Sequence, residues 1–199
     1  MGDYIDRGPK SKQVVDQILN LKNEGINTTF LMGNHDELMF DFLFKEINNL
    51  KNWLNFGADN TFKSYDIEVV EFIKEGFEDH NIEKLRKVLI EKLGHDHINF
   101  FSNLKLTFST TQYLFVHAGI DPKKNLSDQL KKDYLWSRSD DFFHKDFKAE
   151  KIIVHGHTPE KDVVSFPYRI NIDTGCYFSG KLTCVCLNDL NEERHFINT

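Results

Sequence analysis

Three short apolar runs in this sequence each end in a loop that holds Gly together with Asn or His, and this pattern limits the fold more than any other feature. The three pairs are 28–32 before Gly33-Asn34-His35-Asp36, 113–116 before His117-Ala118-Gly119, and 151–154 before His155-Gly156-His157-Thr158-Pro159. Apolar runs of this length between turn signals are typical of buried strands. Because open α/β sheets place ligand sites at the carboxyl ends of their strands, the pattern predicts an α/β fold whose functional site is formed by these loops.

The remaining sequence supplies helices and further strands. A helix is predicted over 11–24, and apolar residues at helical spacing continue through 37–104. Strand patterns return at 169–172 and 182–187. No Pro-rich or Ser-rich linker separates these parts, so we expect a single domain, 1–199, that contains 37–104 as a helical insertion.

Composition excludes several kinds of partner. The 199 residues carry 25 Lys and Arg against 31 Asp and Glu, a net charge of −6, which argues against nucleic acid or an anionic membrane surface as a partner. No apolar run approaches the ~20 residues that a membrane-spanning helix needs. Three Cys make no disulfide framework, which fits a reducing, cytoplasmic setting. We expect Cys184 and Cys186, on one side of a strand, to be small core residues rather than metal ligands.

Four segments carry residue types suited to metal chemistry. They are Gly2-Asp3-Tyr4-Ile5-Asp6-Arg7-Gly8, Gly33-Asn34-His35-Asp36, Val116-His117-Ala118-Gly119 and Gly156-His157-Thr158-Pro159. Their carboxylate, amide and imidazole donors together suit a divalent metal such as Mn, Fe or Zn. Taken singly, a His after a strand is more often a hydrogen-bonded structural residue than a ligand, but four such segments in this order are not independent accidents.

This ordered set resembles the calcineurin-like metallophosphoesterases, and specifically their phosphoprotein phosphatase branch, the Ser/Thr protein phosphatases with their bacterial members. That branch carries Gly-Asp-x-x-Asp-Arg-Gly, Gly-Asn-His-Asp/Glu, His-Ala/Gly-Gly and a later His, often as Gly-His-Thr-Pro in bacteria, and all four occur between residues 2 and 159. The resemblance implies a two-sheet β core flanked by helices in α/β/β/α layers. It also implies two divalent metal ions, with Mn as the first choice and Fe or Zn as alternatives.

The resemblance implies a set of metal ligands. Asp3 corresponds to the carboxylate that bridges the two ions, and Asn34, His117 and His157 correspond to the remaining ligands of the second ion. His155 is expected to lie outside the ligand set, because the ligand in that motif is the His that follows Gly. Two ions a few ångströms apart lower the pKa of a shared water and neutralise phosphate oxygens, which is why the chemistry needs this many donors.

The same resemblance implies the residues that act on the substrate. His35 corresponds to the general acid that protonates the leaving alkoxide, and Asp6 orients its ring. Arg7, Arg138 and Asn34 correspond to the groups that bind the substrate phosphate. Guanidinium groups match phosphate oxygens in bidentate pairs, and a positioned acid typically contributes about 10²–10⁴-fold to the rate.

Simpler interpretations stay open for some of these residues. Asp6 and Arg7 could form a surface ion pair in a turn, and Arg138 could be a solvated side chain that packs along Trp136. The segment His95-Asp96-His97 is expected to lie on the surface without a function.

The family pattern also includes an Asp-x-His motif after a first strand, and no such motif precedes Gly2 in this sequence. Of the protein ligands to the first ion, Asp3 alone then remains, whereas the second ion keeps its full set. We therefore expect the sequence to be an N-terminally shortened copy of a phosphatase that lacks the first strands of the sheet.

The expected function is metal-dependent hydrolysis of a phosphoric monoester by direct attack of a metal-bridging hydroxide. The substrate would be a phosphoprotein, at phosphoserine or phosphothreonine, or a small phosphoester. A symmetrical diadenosine tetraphosphate hydrolase is the alternative, ranked lower because Asp6-Arg7-Gly8 resembles the protein phosphatase form of the motif. A truncated, inactive remnant that only binds phosphorylated ligands is the third possibility.

Overall fold

The computed structural model describes residues 1–188, 190 and 193–199, which group into two compact units. The helical unit is Gly2–Leu104, and the sheet unit consists of Met1 and Lys105–Thr199. No helix within the described residues combines the length and the apolar character needed to cross a bilayer.

The helical unit consists of short helices joined by turns. Its helices are α1 (Ser11–Asn23), α2 (Asn34–Phe44), α3 (Leu50–Leu54), α4 (Ala58–Ser64), α5 (Val70–Ile73) and α6 (Asp79–Ser102), with a 3-10 turn at Ile47–Asn49. The predicted helix at 11–24 is confirmed as α1, and the helical character predicted for 37–104 is confirmed as well. That this segment is an insertion within one domain of 1–199 stays a prediction.

The strand predicted at 28–32 is wrong. Leu31 forms an isolated bridge, and its neighbours in that run belong to no ladder of strand pairs. The run is apolar because its side chains pack: Phe30 makes edge-to-face contacts with Tyr4 and Phe100, at ring-centroid distances of 6.2 and 5.4 Å. Burial alone therefore produced the strand-like pattern.

The sheet unit is built on a five-stranded mixed sheet. Its strands are β1 (Thr107–Ser109), β2 (Tyr113–Val116), β3 (Ile152–His155), β4 (Val164–Phe166) and β5 (Arg169–Asn171), in the spatial order β1-β2-β3-β5-β4. The three central strands are parallel, and the two edge strands β1 and β4 are antiparallel to their neighbours. The unit also contains helices α7 (Lys131–Trp136), α8 (Asp140–Phe143) and α9 (Cys176–Ser179), and a 3-10 turn at Leu126–Asp128.

Both faces of this sheet are covered, which explains why β2 and β3 are nearly continuous apolar runs. On one face, Leu114, Val116 and Ile153 pack around Phe142 of α8. On the other face, Tyr113, Val154 and Ile170 pack against partly buried residues that include Val185 and Leu187. Those two belong to β6 (Thr183–Leu187), which pairs with β7 (Arg194–Asn198) in a second, two-stranded sheet. The α/β class with a mixed sheet is confirmed.

Four predicted strands are confirmed as β2, β3, β5 and β6, whereas β1, β4 and β7 were missed. The missed strands lie at sheet edges or in the hairpin and carry largely exposed residues, so pairing with a neighbour forms them rather than an apolar pattern.

The expectation that Cys184 and Cys186 are core residues is wrong, because both side chains are exposed. They alternate along β6 with Val185 and Leu187, which face the core, and side chains of a strand point to opposite faces in turn.

His97 is also misplaced by the sequence analysis, since it is buried rather than on the surface. Its Nδ1 lies 2.7 Å from the hydroxyl of Tyr65, and its Nε2 lies 3.0 Å from Oδ1 of Asp16. The ring thus joins α6 to α1 and to the residue that follows α4. His95, two positions earlier, is 92% exposed at the side chain, because residues two positions apart on a helix face different directions.

We predict that His97→Leu lowers the free energy of unfolding by about 1–3 kcal/mol, because the buried hydroxyl of Tyr65 loses its partner. His95→Leu makes the same chemical change at an exposed position of the same helix and should stay within about 0.5 kcal/mol of wild type. Urea denaturation followed by circular dichroism measures both. Equal destabilisation by the two variants would contradict the role assigned to the His97 ring.

Candidate functional site

The carboxylate of Asp36 joins the Asp3 loop to the beginning of α2. Its Oδ2 accepts hydrogen bonds from the backbone N–H groups of Asp3 and Gly33, both at 2.8 Å, and its Oδ1 accepts the N–H of Tyr4 at 3.2 Å. Asp36 is the third residue of α2 and is fully buried, so its charge also lies at the positive end of the helix. One carboxylate therefore fixes both the loop and the helix start.

Gly33 allows Asp3 to approach the helix closely. A side-chain carbon at Gly33 would collide with the backbone nitrogen and the carboxylate of Asp3. The backbone N–H of His35 donates to Oδ1 of Asp3 at 3.1 Å, and Nε2 of His35 lies 4.0 Å from Oδ2 of Asp3. Asn34, the first residue of α2, is buried. The helical unit thus brings Asp3 and His35 together at the N-terminus of α2.

Asp6 is held by a network of donors in the buried interior. Its Oδ2 lies 2.7 Å from Nδ1 of His35 and accepts the indole N–H of Trp53 at 2.8 Å, while Oδ1 accepts the hydroxyl of Thr61 at 2.6 Å. The backbone N–H of Asp6 also donates to the side-chain oxygens of Thr61 and Ser11. The alternative of a surface ion pair between Asp6 and its neighbour is wrong, because the Asp6 side chain is fully buried.

The surroundings of His35 favour its protonated form. Burial by itself lowers the pKa of His35, but the hydrogen bond to Asp6 and the negative charges of Asp3 and Asp6 outweigh burial and raise the pKa above its ordinary value. Burial raises the pKa of Asp6, and the hydrogen bonds from His35, Thr61 and Trp53 limit that rise. The pair can therefore hold a proton on His35 and release it from the opposite ring nitrogen.

Arg7 lies at the centre of a strained turn. Its φ is 57°, in the left-handed region, and a hydrogen bond from the N–H of Gly8 to the carbonyl of Asp6 closes the turn. The N–H of Arg7 donates to the carbonyl of Gly57 at 3.2 Å, and a side-chain carbon at Gly57 would crowd the Arg7 backbone. The side chain of Arg7 is exposed.

In the sheet unit, His117 and His157 form an imidazole pair. His117 follows β2, His157 follows β3 by two residues, and Nε2 of His117 lies 3.1 Å from Nδ1 of His157. Nδ1 of His117 lies 2.9 Å from the carbonyl oxygen of Met1. Because a carbonyl only accepts hydrogen bonds, Nδ1 of His117 carries the proton and its Nε2 presents a lone pair.

The donor chemistry of this pair fits a divalent metal. Histidine ligands usually donate their second ring N–H to a carbonyl or carboxylate, as His117 does to Met1. Metal–nitrogen bonds of about 2.1 Å place two neighbouring ligand nitrogens roughly 3 Å apart, which agrees with the spacing between His117 and His157.

Arg138 and His155 flank His157 in the same unit. Arg138 is exposed, and its Nε donates toward Nε2 of His157 at 3.3 Å. His155 is fully buried, with Nδ1 3.0 Å from the carbonyl oxygen of Gly156 and Nε2 3.2 Å from Nη1 of Arg169. Burial lowers the pKa of His155 to about 3, with a smaller contribution from the charge of Arg169, so the ring is neutral.

The sequence analysis missed the side chains that support these groups. Asp36 stands inside the Gly33-Asn34-His35-Asp36 motif, and its place three residues into a helix was a usable signal. Trp53, Thr61 and Arg169 carry no local signal, because each reaches its partner from a distant part of the chain.

Comparison with known proteins identifies the family of this chain. Residues 1–192 match the family described as calcineurin-like phosphoesterase. The chain is 26% identical over 201 residues to the bis(5′-nucleosyl)-tetraphosphatase PrpE [asymmetrical] of Anoxybacillus flavithermus, an alignment that covers 93% of this chain and 73% of the relative. It is 26% identical over 192 residues to the protein of the same name in Bacillus mycoides, covering 92% and 72%.

A solved structure has the same fold. The crystal structure of a protein assigned as a diadenosine tetraphosphatase superposes with a TM-score of 0.61 at 15% identity, and the match covers 99% of this chain and 78% of that one. The family match spans nearly the whole sequence, and the chain belongs to the calcineurin-like phosphoesterase family.

Proposed function

We propose that this phosphoesterase is a metal-dependent hydrolase of dinucleoside tetraphosphates that cleaves asymmetrically, to a nucleoside monophosphate and a nucleoside triphosphate. The observation that carries the hydrolytic assignment is the buried contact of 2.7 Å between Asp6 and His35 at the N-terminus of α2. The names of the relatives support the substrate class and the asymmetrical cleavage. They favour a tetraphosphatase over the Ser/Thr protein phosphatase that the motif Asp6-Arg7-Gly8 resembles.

In this proposal His35 supplies the proton that the leaving group needs. Asp6 fixes the ring through Nδ1, and this leaves Nε2 as the nitrogen that can give a proton to a leaving oxygen. Burial lowers the pKa of His35, but the hydrogen bond to Asp6 and the charges of Asp3 and Asp6 raise it above its ordinary value, which favours the protonated form that a general acid needs. Trp53 and Thr61 hold the carboxylate of Asp6 in place, so the acid is positioned before a substrate arrives.

The exposed guanidinium groups suit a substrate with several phosphates. Arg7 and Arg138 are both exposed, and each can form a bidentate pair with phosphate oxygens. Asn34 is proposed to bind phosphate as well, through its amide. The chain as a whole has a net charge of −6, so a polyphosphate requires local cations of this kind rather than a general positive field.

The metal centre is proposed to use Asp3, Asn34, His117 and His157 as ligands. This is the ligand set that the family resemblance implies, and the imidazole pair supports it. When bound, divalent ions such as Mn²⁺ supply a hydroxide at neutral pH and neutralise phosphate charge. The residues themselves hold the ions, orient the substrate and transfer the proton.

The first prediction of this proposal concerns the substrate. With Mn²⁺, we expect the full chain to have a higher kcat/KM for diadenosine tetraphosphate than for a phosphoserine peptide, and anion-exchange chromatography should show AMP and ATP. p-Nitrophenyl phosphate serves as a shared positive control. Two ADP molecules would contradict asymmetrical cleavage, preferred hydrolysis of the peptide would indicate a protein phosphatase, and binding without turnover would indicate an inactive remnant.

The second prediction concerns the proton. His35→Asn should lower kcat by about 10²–10⁴-fold for phenyl phosphate and by much less for p-nitrophenyl phosphate, because nitrophenolate leaves without a proton. Metal content should stay at the wild-type value. His95→Asn, at an exposed position of the same unit, is the matched control. An equal loss for both esters would show that His35 does not act as the acid.

The third prediction concerns the metal. His117→Ala and His157→Ala should each reduce the bound metal per chain, measured by elemental analysis after gel filtration in Mn²⁺. His195→Ala, at a position that is 73% exposed, should retain the wild-type stoichiometry. Unchanged metal content in both of the first two variants would rule out the proposed imidazole ligands.

A further inference from the structure

We propose that Arg169 is a positioning residue that acts through His155 to fix the turn presenting the His157 imidazole. This inference rests on the proposed metal centre in one respect, namely that His157 is a ligand. Nothing in the sequence motifs assigns a role to Arg169, which lies in β5, 12 positions after His157.

The turn at His157 is strained and needs external support. The φ of His157 is 66°, in the left-handed region that non-glycine residues rarely adopt. A hydrogen bond of 2.8 Å from the N–H of Thr158 to the carbonyl of Gly156 closes a three-residue turn with His157 at its centre. Tight turns of this kind with positive φ are rare and persist only where the surroundings determine them.

His155 supplies a second donor to the carbonyl that closes this turn. Its Nδ1 lies 3.0 Å from the carbonyl oxygen of Gly156, so this one oxygen receives both the N–H of Thr158 and the ring of His155. The ring can donate only in the tautomer that carries the proton on Nδ1. The other nitrogen must then act as an acceptor.

Arg169 selects that tautomer. Its Nη1 lies 3.2 Å from Nε2 of His155, and a guanidinium group only donates hydrogen bonds. Nε2 of His155 must therefore accept, which leaves the proton on Nδ1 and directs it toward Gly156. The second guanidinium nitrogen, Nη2, donates to the carbonyl of Phe143 at 3.2 Å, so the group is anchored at two points.

The guanidinium group is placed so that it cannot readily turn away. Arg169 is only 4% exposed, and its Cζ lies 5.7, 5.2 and 5.2 Å from the ring centroids of Phe142, Phe143 and Phe166. Cation–π contacts of this kind stabilise a desolvated guanidinium. Arg169 is a buried cation, and one of its donors is directed at the neutral imidazole of His155. Control of the His155 tautomer explains this contact better than charge pairing does.

The same strand holds the far side of the turn. Asn171, two residues after Arg169 in β5, donates from Nδ2 to the carbonyl of Thr158 at 2.8 Å. On the near side, the N–H of Gly156 donates to the carbonyl of His117 at 2.8 Å. Supporting groups of this kind behind a metal ligand typically change metal affinity by about 10–100-fold when they are removed.

The first test determines which ring nitrogen of His155 carries the proton, and it does not involve metal. In the full chain with ¹⁵N-labelled histidine, long-range ¹H–¹⁵N correlation spectra should show His155 protonated on Nδ1 and not on Nε2. Arg169→Met keeps the apolar stem but removes the donors, and it should yield a mixture of tautomers at His155. A wild-type His155 protonated on Nε2, or an unchanged tautomer in Arg169→Met, would overturn the proposal.

The second test measures metal affinity, which depends on the proposed ligand His157. Titration with Co²⁺, followed by its visible absorption, should give about 10–100-fold weaker binding for Arg169→Met, with partial recovery in Arg169→Lys. Arg194→Met is the matched control, because Arg194 contacts Ser165 and Phe166 in the same unit. The Co²⁺ affinity of this variant should equal that of the wild type. Wild-type affinity in a folded Arg169→Met variant would also overturn the proposal.

A pair of variants at His155 covers the case in which Arg169→Met does not fold. The amide of His155→Asn can replace the Nδ1 donor, whereas His155→Leu cannot, so the Asn variant should bind Co²⁺ more tightly than the Leu variant. Equal Co²⁺ affinities of the Asn and Leu variants would contradict the proposed role of the Nδ1 donor of His155. Wild-type binding in His157→Ala would instead refute the proposed metal ligand, and the tautomer spectra would still decide the role of Arg169.

Discussion

Backbone strain at the candidate functional residues is the constraint on which the rest of this structure depends. Among the described residues, five besides glycine have a positive φ, between 57° and 72°, and four of them are Asp3, Asp6, Arg7 and His157. Conformations of this kind cost about 1–3 kcal/mol each and persist only where the surroundings enforce them. Much of the buried polar bonding in both units therefore serves to hold a few loop residues in conformations that they would not adopt alone.

The two units provide this support in different ways. In the helical unit, carboxylates accept bonds from several elements: Asp36 fixes the Asp3 loop, and Asp6 is fixed by Trp53 of α3 and Thr61 of α4. In the sheet unit, side chains of β5 hold the turn that follows β3. Substitutions far from the candidate site can therefore alter the proposed proton donor or a proposed metal ligand, since each depends on a chain of hydrogen bonds.

The short helices between α2 and α6 have a role beyond covering a site. The sequence predicted them as a helical insertion and assigned them no chemistry. Trp53 and Thr61 nevertheless supply two of the donors that hold the carboxylate of Asp6, and Gly57 accepts a bond from the backbone of Arg7. The hydrogen-bonded pair Asp6–His35 and these helices consequently form one structural element.

The family could be predicted from the motifs, but the substrate could not. Asp3, His35, His117 and His157 belong to motifs that we propose act on a phosphoryl group, and this group is common to phosphoproteins and to dinucleoside tetraphosphates. Specificity comes from residues that contact the rest of the substrate, and these lie outside the motifs. This explains how Asp6-Arg7-Gly8 can resemble a protein phosphatase while the named relatives are tetraphosphatases.

The sequence by itself determined the elements whose signal is local. Short strand patterns predicted β2, β3, β5 and β6, and helical spacing predicted α1, while the residues that the polar loops nominate for chemistry stay a prediction. Tertiary structure alone decided what depends on distant partners. Residues 28–32 are apolar because their side chains pack against other residues. They form no strand, because their backbone has no ladder of strand pairs. His97 is buried because Tyr65 and Asp16 bind both of its nitrogens, and Arg169 reaches His155 across two neighbouring strands. Local spacing cannot encode such contacts, since they arise only when separate parts of the chain are brought together by packing.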